Sequence, residues 1–307
     1  MRVRLLLEPL HGGTYDQILA LARATEEGGF DAFFRSDHYL GVEREDAGYR
    51  PTDSWTTLAG LARDTSRVRL GTLLTASTFR LPGVLATTVA TADAMSGGRV
   101  ELGLGAAWYE REHQSLGIPF PSLKDRFDRL EEQLTIITGL WRTPPGEPFS
   151  FSGRHFQLDN CVNPPRPVQS PHPPIIVGGA GPRRTPALAA RFADEYNAAF
   201  GQGLQERYAR FRAACEKIGR DPATARLSYV IPVACGADKA EADRRAESIR
   251  APALREAAAC GTPQVVIDRI AELAAEGVDT VYFHIFDIHD VDHVRLLGED
   301  VLPHIPS

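Results

Sequence analysis

An acidic residue and a histidine stand side by side after a short apolar segment, and both residue types can transfer protons. Residues 30–38 read FDAFFRSDH, so Asp37 and His38 follow a segment with the composition of a buried strand. Histidine changes its charge near neutral pH and can therefore give or take a proton. In the alternative interpretation, the pair only caps the next segment. We predict that His38 is the catalytic acid or base and that Asp37 contacts a ligand.

A glycine-rich loop supplies a second candidate site. Gly178, Gly179 and Gly181 follow an apolar segment and precede a helical segment that has Thr185 near its start. Glycines let a ligand approach the backbone closely, and the N-terminus of a helix attracts phosphate. The loop does not have the dinucleotide-binding pattern G-x-G-x-x-G, and a simple tight turn is the alternative. Because Arg183 adds positive charge, we predict a phosphate site here.

Two further segments carry candidates for a substrate pocket. The segment GLGAAW contains Gly105 and ends at Trp108, so small residues leave room for a flat ligand beside an indole that could wall a cavity. Ordinary core packing also explains the small residues. His284 lies in the last apolar segment, where strand alternation directs Asp287 to the opposite face. We therefore place His284 in the pocket and predict no metal site.

The elements that must position these residues alternate regularly between strands and helices. Eight segments have strand composition: residues 3–9, 30–38, 68–75, 99–105, 174–179, 196–201, 227–236 and 278–287. Helical segments or loops separate them, which indicates a parallel sheet with helical crossovers. Eight strands and no dividing linker favour an α/β fold of the (β/α)8 TIM-barrel type, as a single domain over 1–307, against a doubly wound sheet.

Such a barrel places its chemistry at the carboxyl ends of the strands, where the candidates above meet. His11 follows the first strand and joins the predicted pocket. Residues 143–173 are rich in proline and glycine and contain a hairpin-like segment over 149–158. We interpret them as an insertion in the barrel, and we expect it to cover part of the pocket.

Composition limits the classes of partner. The 34 Lys and Arg against 40 Asp and Glu give a formal charge of −6, and without a basic run we expect neither nucleic acid nor a membrane as partner. Four dispersed cysteines and no apolar stretch of about 20 residues are typical of a cytoplasmic protein. The chain has no G-x-S-x-G, P-loop or Cys/His nucleophile pattern, which favours an enzyme that borrows an organic cofactor and acts on a small molecule.

Five ordered blocks of the sequence resemble the bacterial luciferase-like flavin and deazaflavin oxidoreductases, above all the actinobacterial branch that uses the deazaflavin coenzyme F420. The blocks are FDAFFRSDH, RLGTLLTASTFRLPGVLA, MSGGRVELGLGAAWYEREHQSLGIPF, KDRFDRLEEQL and PHPPIIVGGAG. The resemblance implies a TIM barrel that binds the tricyclic ring at its carboxyl face. It also implies a homodimer.

The resemblance assigns roles to individual residues. Asp37 and His38 match an aspartate–histidine pair that contacts the ring, with the histidine as acid or base. Leu73 and Leu74, next to Thr75, match a bulge with a cis non-prolyl peptide that supports the ring from behind. The glycine loop, with Gly178, Gly179, Gly181 and Thr185, matches the loop that binds the phosphate side of the cofactor. A polyanionic cofactor tail would need a basic patch, for which Arg183 and Arg184 are the candidates.

One position departs from the family pattern. Sugar-phosphate dehydrogenases of this kind carry a glutamate just after the fourth strand, and the matching position is Trp108, with Glu110 two residues on. We therefore expect reduction of a C=C, C=N or C=O group by reduced F420 rather than oxidation of a phosphorylated sugar, with His38 exchanging the proton. The alternatives are an FMNH2-dependent monooxygenase and a flavin-binding barrel without catalytic activity.

Overall fold

A closed ring of parallel strands forms the centre of the molecule. The computed structural model describes residues 1–8, 13–41, 51–162 and 164–305. The strands are β1 (Arg2–Leu7), β2 (Ala32–Arg35), β3 (Arg69–Thr72), β4 (Thr75–Ala76), β5 (Val100–Gly105), β6 (Pro148–Ser152), β7 (Gln157–Val162), β8 (Ile175–Gly178), β9 (Glu195–Asn197), β10 (Arg226–Cys235), β11 (Ala259–Gly261) and β12 (Thr280–Ile285). The ring runs β1-β2-β3-β5-β8-β9-β10-β12 and closes where β12 pairs with β1. The predicted TIM barrel is therefore confirmed.

Helices follow the strands and cover the outside of the ring. They are α1 (Tyr15–Glu27), α2 (Ser54–Asp64), α3 (Pro82–Ser96), α4 (Glu110–Ser115), α5 (Leu123–Arg142), α6 (Arg184–Phe192), α7 (Leu204–Lys217), α8 (Lys239–Ala246), α9 (Pro252–Glu256), α10 (Pro263–Ala275) and α11 (Val291–Leu296). Thr14 and Gln17 form the capping box expected at the start of α1. Within the described ranges, no helix combines the length and apolar character that crossing a membrane requires.

A buried ion network fills the amino-terminal half of the barrel. The Arg4 side chain is completely buried, and its Nη1 donates to Glu101 Oε2 at 2.8 Å and to the Tyr282 hydroxyl at 2.9 Å. The same hydroxyl donates to Glu195 Oε1 at 2.6 Å. Charges out of water are tolerated when they are paired and hydrogen-bonded, as they are here. The network gives the cavity above it a packed floor.

The eight predicted strand segments match the eight strands of the ring, but several strands are shorter than predicted. Residues 36–38 leave the sheet after β2, and the chain leaves β3 at Leu73, where the Leu73–Leu74 peptide is cis. Thr75 and Ala76 then pair with β5 as β4. The residues that were predicted as strand but follow the ends of β2 and β3 line the cavity.

The insertion at 143–173 contains the predicted hairpin, since β6 and β7 pair antiparallel. The expectation that it covers the pocket is wrong for the residues described, because none of them lines the cavity. Glu132 of α5 accepts hydrogen bonds from the backbone amides of Arg154, His155 and Phe156 in the hairpin turn. These bonds fix the hairpin to the outer side of α5.

Candidate functional site

A cavity of about 600 Å³ opens at the carboxyl ends of the barrel strands. This volume lies within the range of small-molecule and cofactor sites. The residues predicted from sequence that line it are Asp37, His38, Leu73, Leu74, Thr75, Gly105, Trp108, Gly178, Gly179, Gly181, Thr185 and His284. Loops after different strands of the ring thus bring these residues into one place.

One wall of the cavity consists of backbone and leucine side chains. A Cβ atom added at Gly105 would lie 3.0 Å from Leu74 Cδ1, and one at Gly178 would lie 2.9 Å from Asn197 Cβ. Gly179 has φ +131°, a backbone conformation that favours glycine. Side chains at Gly105 and Gly178 would fill the space beside Leu74. The wall therefore fits a flat ring, whose face can approach the backbone closely.

The loop after Gly178 leads into the start of α6. Thr185 is buried there, and a Cβ atom added at Gly181 would lie 2.7 Å from Thr185 Oγ1. The free N–H groups of this helix end suit a phosphate group. The glycine wall thus fits the ring of a deazaflavin or flavin cofactor, and Thr185 with the N–H groups at the start of α6 fits its phosphate side.

The structure does not bring the expected basic patch to the cavity. Arg183 is exposed at the N-cap of α6 and is not among the lining residues. Arg184 turns toward α5, where its guanidinium pairs with Asp128 and with Glu131, the latter at 3.1 Å. Its charge is thus already compensated by carboxylates. His11 lies outside the described residues.

The carboxylate of Asp37 is held by two side chains through three hydrogen bonds. Ser54 Oγ donates to Asp37 Oδ1 at 2.5 Å, and Arg80 donates to both carboxylate oxygens, at 2.5 and 3.2 Å. Arg80 also donates to Asp53 Oδ2 at 2.5 Å. Asp37 therefore joins the loop after β2 to the start of α2 and to the segment that carries Arg80.

His38 is held in the cavity wall by Glu112. Its Nδ1 lies 3.1 Å from Glu112 Oε2, and Glu112 Oε1 accepts hydrogen bonds from the backbone amides of Tyr39 and Leu40. Burial lowers the pKa of His38, but the hydrogen bond that the ring donates to Glu112 and the negative charges of Glu8, Glu112 and Asp37 outweigh it, so the net shift is upward. His38 therefore favours the protonated form more than an exposed histidine does.

A second imidazole and carboxylate meet near His38, across the barrel from Gly178. His284 Nε2 lies 3.4 Å from Glu8 Oε2, and Ser36 Oγ donates to Glu8 Oε1. Burial raises the pKa of Glu8, but the contacts with His284 and Ser36 and the charge of His38 give a net downward shift. Glu8 is therefore a carboxylate at neutral pH.

Aromatic side chains form the mouth of the cavity. Trp108 stacks on Tyr109 with ring centroids 5.2 Å apart, and its ring lies edge-on to His38 at 5.6 Å. Trp108 is 62% exposed, although it is a large apolar residue. Phe79 also lines the cavity. The entrance thus offers apolar, aromatic surface to whatever enters.

The sequence alone did not lead us to predict a role for Glu112 or Arg80, or the contact between Glu8 and His284. Glu110, which was considered, is exposed and accepts a hydrogen bond from Gln114 at 3.3 Å. The one signal for Glu112 is its position in the segment YEREH directly after a barrel strand. Which of the two glutamates turns inward depends on where the six-residue helix α4 starts, and short helices show too little periodicity to reveal it.

Comparison with known proteins relates the chain to several oxidoreductases. It is 39% identical over 181 residues to the F420-dependent glucose-6-phosphate dehydrogenase of Nakamurella multipartita (59% of this chain, 51% of the relative). It is 33% identical to the F420-dependent hydroxymycolic acid dehydrogenase of Mycobacterium tuberculosis (74% and 61%), and 34% identical to the pyrimidine monooxygenase RutA of Cronobacter sakazakii (58% and 53%). The chain spans about half to three fifths of the length of these relatives.

Solved structures and a family profile complete the comparison. The structure of an F420-dependent secondary alcohol dehydrogenase with an F420–acetone adduct superposes with a TM-score of 0.85 over 100% of this chain and 99% of that chain, at 20% identity. This likeness supports the fold alone. The model of the family described as luciferase-like monooxygenase matches residues 3–255, most of the sequence. The chain therefore belongs to the luciferase-like monooxygenase family.

Proposed function

We propose that the protein is an F420-dependent oxidoreductase that reduces an electron-poor C=C, C=N or C=O group of a small organic molecule. The observation that carries this proposal is the position of His38, a histidine with a raised pKa held by Glu112 in the wall of a cavity whose other wall is glycine backbone. Two of the relatives described above have names that state F420 dependence.

The glycine wall and the start of α6 would hold the cofactor. Leu73 and Leu74 would support the ring, Gly105 and Gly178 would let its face approach the backbone, and Thr185 would bind the phosphate side. When bound in its reduced form, the deazaflavin supplies a hydride from C5 to the electron-poor atom of the substrate double bond. The remaining requirement is a proton for the other atom of that bond.

His38 meets that requirement. Its raised pKa favours the protonated ring more than in an exposed histidine, and Glu112 stabilises the charged form until the proton is given to the substrate. In the reverse direction the neutral imidazole would accept a proton from the substrate, and Glu112 would again stabilise the product ion.

The aromatic mouth favours an apolar substrate. Trp108 and Tyr109 would exclude water from the reacting atoms when a ligand is present, which strengthens the electrostatic interactions inside the cavity. Within the described residues, no Lys or Arg side chain lines the cavity, so a phosphorylated sugar would lack a cationic partner there. This supports reduction of an uncharged molecule over oxidation of a sugar phosphate.

The proposal is tested by anaerobic single-turnover oxidation of reduced F420 by wild type and His38→Ala. Three probes cover the proposed bond types: 2-cyclohexen-1-one, menadione and 2-methyl-1-pyrroline. We expect oxidation by at least one probe, a rate about 100-fold lower in His38→Ala, and nearly unchanged F420 affinity. Unchanged rates in the variant, or no oxidation with any probe, would contradict the proposal.

A second candidate is an FMNH2-dependent monooxygenase, which the similarity to the pyrimidine monooxygenase favours. The same cavity would then shield a reduced flavin from water. Substrate-coupled oxygen consumption with FMNH2, and none with reduced F420, would select this alternative.

We also propose that the working form is a cytoplasmic homodimer, as the family resemblance implies. Light scattering of the purified protein measures its mass directly.

A further inference from the structure

A cluster of three polar side chains lies on the side of the cavity opposite the glycine wall. We infer that Glu8, Ser36 and His284 form a binding subsite for a neutral hydrogen-bonding group of the substrate, a hydroxyl or an amide, and that this subsite rejects anions. The inference deepens the proposed function and rests on it for the placement of the cofactor. It names the substrate class that the cavity selects.

The barrel itself places these residues together. The backbone amide of Glu8 donates to Ile285 O at 3.2 Å, so the end of β1 lies beside the end of β12, and His284 precedes that contact by one residue. Ser36 follows β2, the other neighbour of β1, and its hydroxyl donates to Glu8. Three adjacent strands thus contribute one side chain each, which makes the arrangement rigid.

His284 has free hydrogen-bonding capacity. The residue is 5% exposed and lines the cavity, yet within the described part of the chain neither ring nitrogen has a hydrogen-bond partner. Its Nε2 approaches Glu8 Oε2 only to 3.4 Å, and its ring packs against Phe286 at 4.1 Å between centroids. A buried polar atom without a partner is unfavourable, so a ligand group that bonds to it is favoured.

Glu8 sets the charge that the subsite accepts. Three carboxylates line the cavity: Asp37 is paired with Arg80 and Glu112 with His38, whereas Glu8, within the described ranges, has only the 3.4 Å approach of His284, without a hydrogen bond between them. Glu8 has no Lys or Arg within 4 Å among the described residues, and its lowered pKa keeps it charged. It therefore favours an O–H or N–H donor and repels a phosphate or a carboxylate.

The location suits substrate rather than cofactor. In the closed ring, β8 lies four strands from β1 in either direction, so the glycine wall at Gly178 faces the Glu8 side across the barrel. A cofactor ring that packs on Leu74 and Gly178 would leave the Glu8 side of the cavity free for the substrate. A hydroxyl or amide there would donate to Glu8 and accept from His284, which fixes the orientation of the substrate toward the ring.

Three benzyl compounds test the subsite because they share an aromatic body that fits the mouth. Benzyl alcohol has a donor, benzyl methyl ether lacks it, and benzyl phosphate adds negative charge. Their affinities for F420-loaded wild type are measured by calorimetry. We expect the alcohol to bind about tenfold more tightly than the ether, as for a hydrogen bond to a charged group, and the phosphate not to bind.

Two variants separate the contributions. Glu8→Gln removes the charge, so the preference for the alcohol falls to within about threefold and the phosphate gains affinity. His284→Phe keeps an aromatic ring without nitrogens, so the preference falls but the phosphate stays excluded. Glu110→Gln, on the exposed face of α4, is the matched control and should behave as wild type.

The outcomes distinguish this inference from the proposed function. Equal binding of alcohol and ether to wild type, no binding of the alcohol, or an unchanged preference in both variants would overturn the subsite. If F420 itself does not bind, the proposed function fails, but the alcohol and ether are then compared on the cofactor-free protein. A tenfold preference that Glu8→Gln abolishes in that form would still support the subsite.

Discussion

Replacing Glu112 with Gln should make His38 a weaker base. Glutamine keeps the size of the side chain and an oxygen that can accept from the Leu40 amide, which lies 3.0 Å from Glu112 Oε1. It loses the negative charge that stabilises the imidazolium of His38 across 3.1 Å. Burial already lowers the pKa of His38, and without the charge of Glu112 less remains to oppose it. The pKa of His38 therefore falls.

The size of the effect follows from the contact. A hydrogen bond to a charged group contributes about 1.5–3 kcal/mol, and the lower end applies because His38 is 18% exposed. About 1.4 kcal/mol corresponds to a tenfold change in an equilibrium. Above its transition, the protonated fraction of His38 should therefore fall about tenfold in Glu112→Gln. Since the protonated form is the proposed acid, reductive turnover should begin to fall at lower pH in the variant than in wild type.

NMR titration of the His38 imidazole signals measures this directly, with the assignment taken from the His38→Ala spectrum. Glu110→Gln makes the same chemical change two residues away on the exposed side of α4 and should leave the His38 titration unchanged. If Glu112→Gln and wild type titrate at the same pH, the reasoning that Glu112 holds the proton on His38 is refuted. A shift in the control as well would show that the effect comes from total charge rather than from the contact.

Three further predictions concern the walls and floor of the cavity. Gly105→Ala should fold but bind F420 roughly tenfold more weakly in a fluorescence titration, because its Cβ would lie 3.0 Å from Leu74 Cδ1 and push that side chain into the space of the cofactor ring. Unchanged affinity would count against the glycine wall. Gly103→Ala should instead lose about 3 kcal/mol of stability in urea, because its Cβ would lie 2.0 Å from the backbone oxygen of Thr72, and a stable protein would contradict this. Arg4→Met should cost about 3 kcal/mol, because among the described residues Glu101 then keeps only Arg69 and Glu195 only Arg226 as a cationic partner, and a loss under 1 kcal/mol would show that the network is not needed.

The fold was largely predictable because barrel strands have a local signature. Segments such as residues 278–287 are apolar and β-branched, and their number and spacing are sufficient to predict a ring of eight. The predicted ends of the strands were less accurate than their number, since the sequence does not show where a strand leaves the sheet. The predicted strand over 30–38 included residues 36–38, which follow an apolar run, yet they turn out of β2 and line the cavity.

The candidate site was predictable where a residue follows a strand and was missed where partners come from elsewhere. Asp37 and His38 were found from their position alone, whereas Arg80 and Glu112 reach them from 43 and 74 residues away in the chain. Arg183 was expected to add positive charge to the phosphate site at the glycine loop. Its side chain is instead exposed at the N-cap of α6 and does not line the cavity. Such pairings depend on tertiary contacts that a local pattern does not encode.

Equilibrium titration of the purified protein with F420 and, separately, with FMN, followed by fluorescence, tests the central claim most directly. We predict saturable binding of one F420 per chain, tighter than the binding of FMN, and weakened in Gly105→Ala but not in His38→Ala. Binding of FMN with higher affinity than F420, or no saturable binding of F420 to the wild type, would contradict the claim that this cavity is a deazaflavin site.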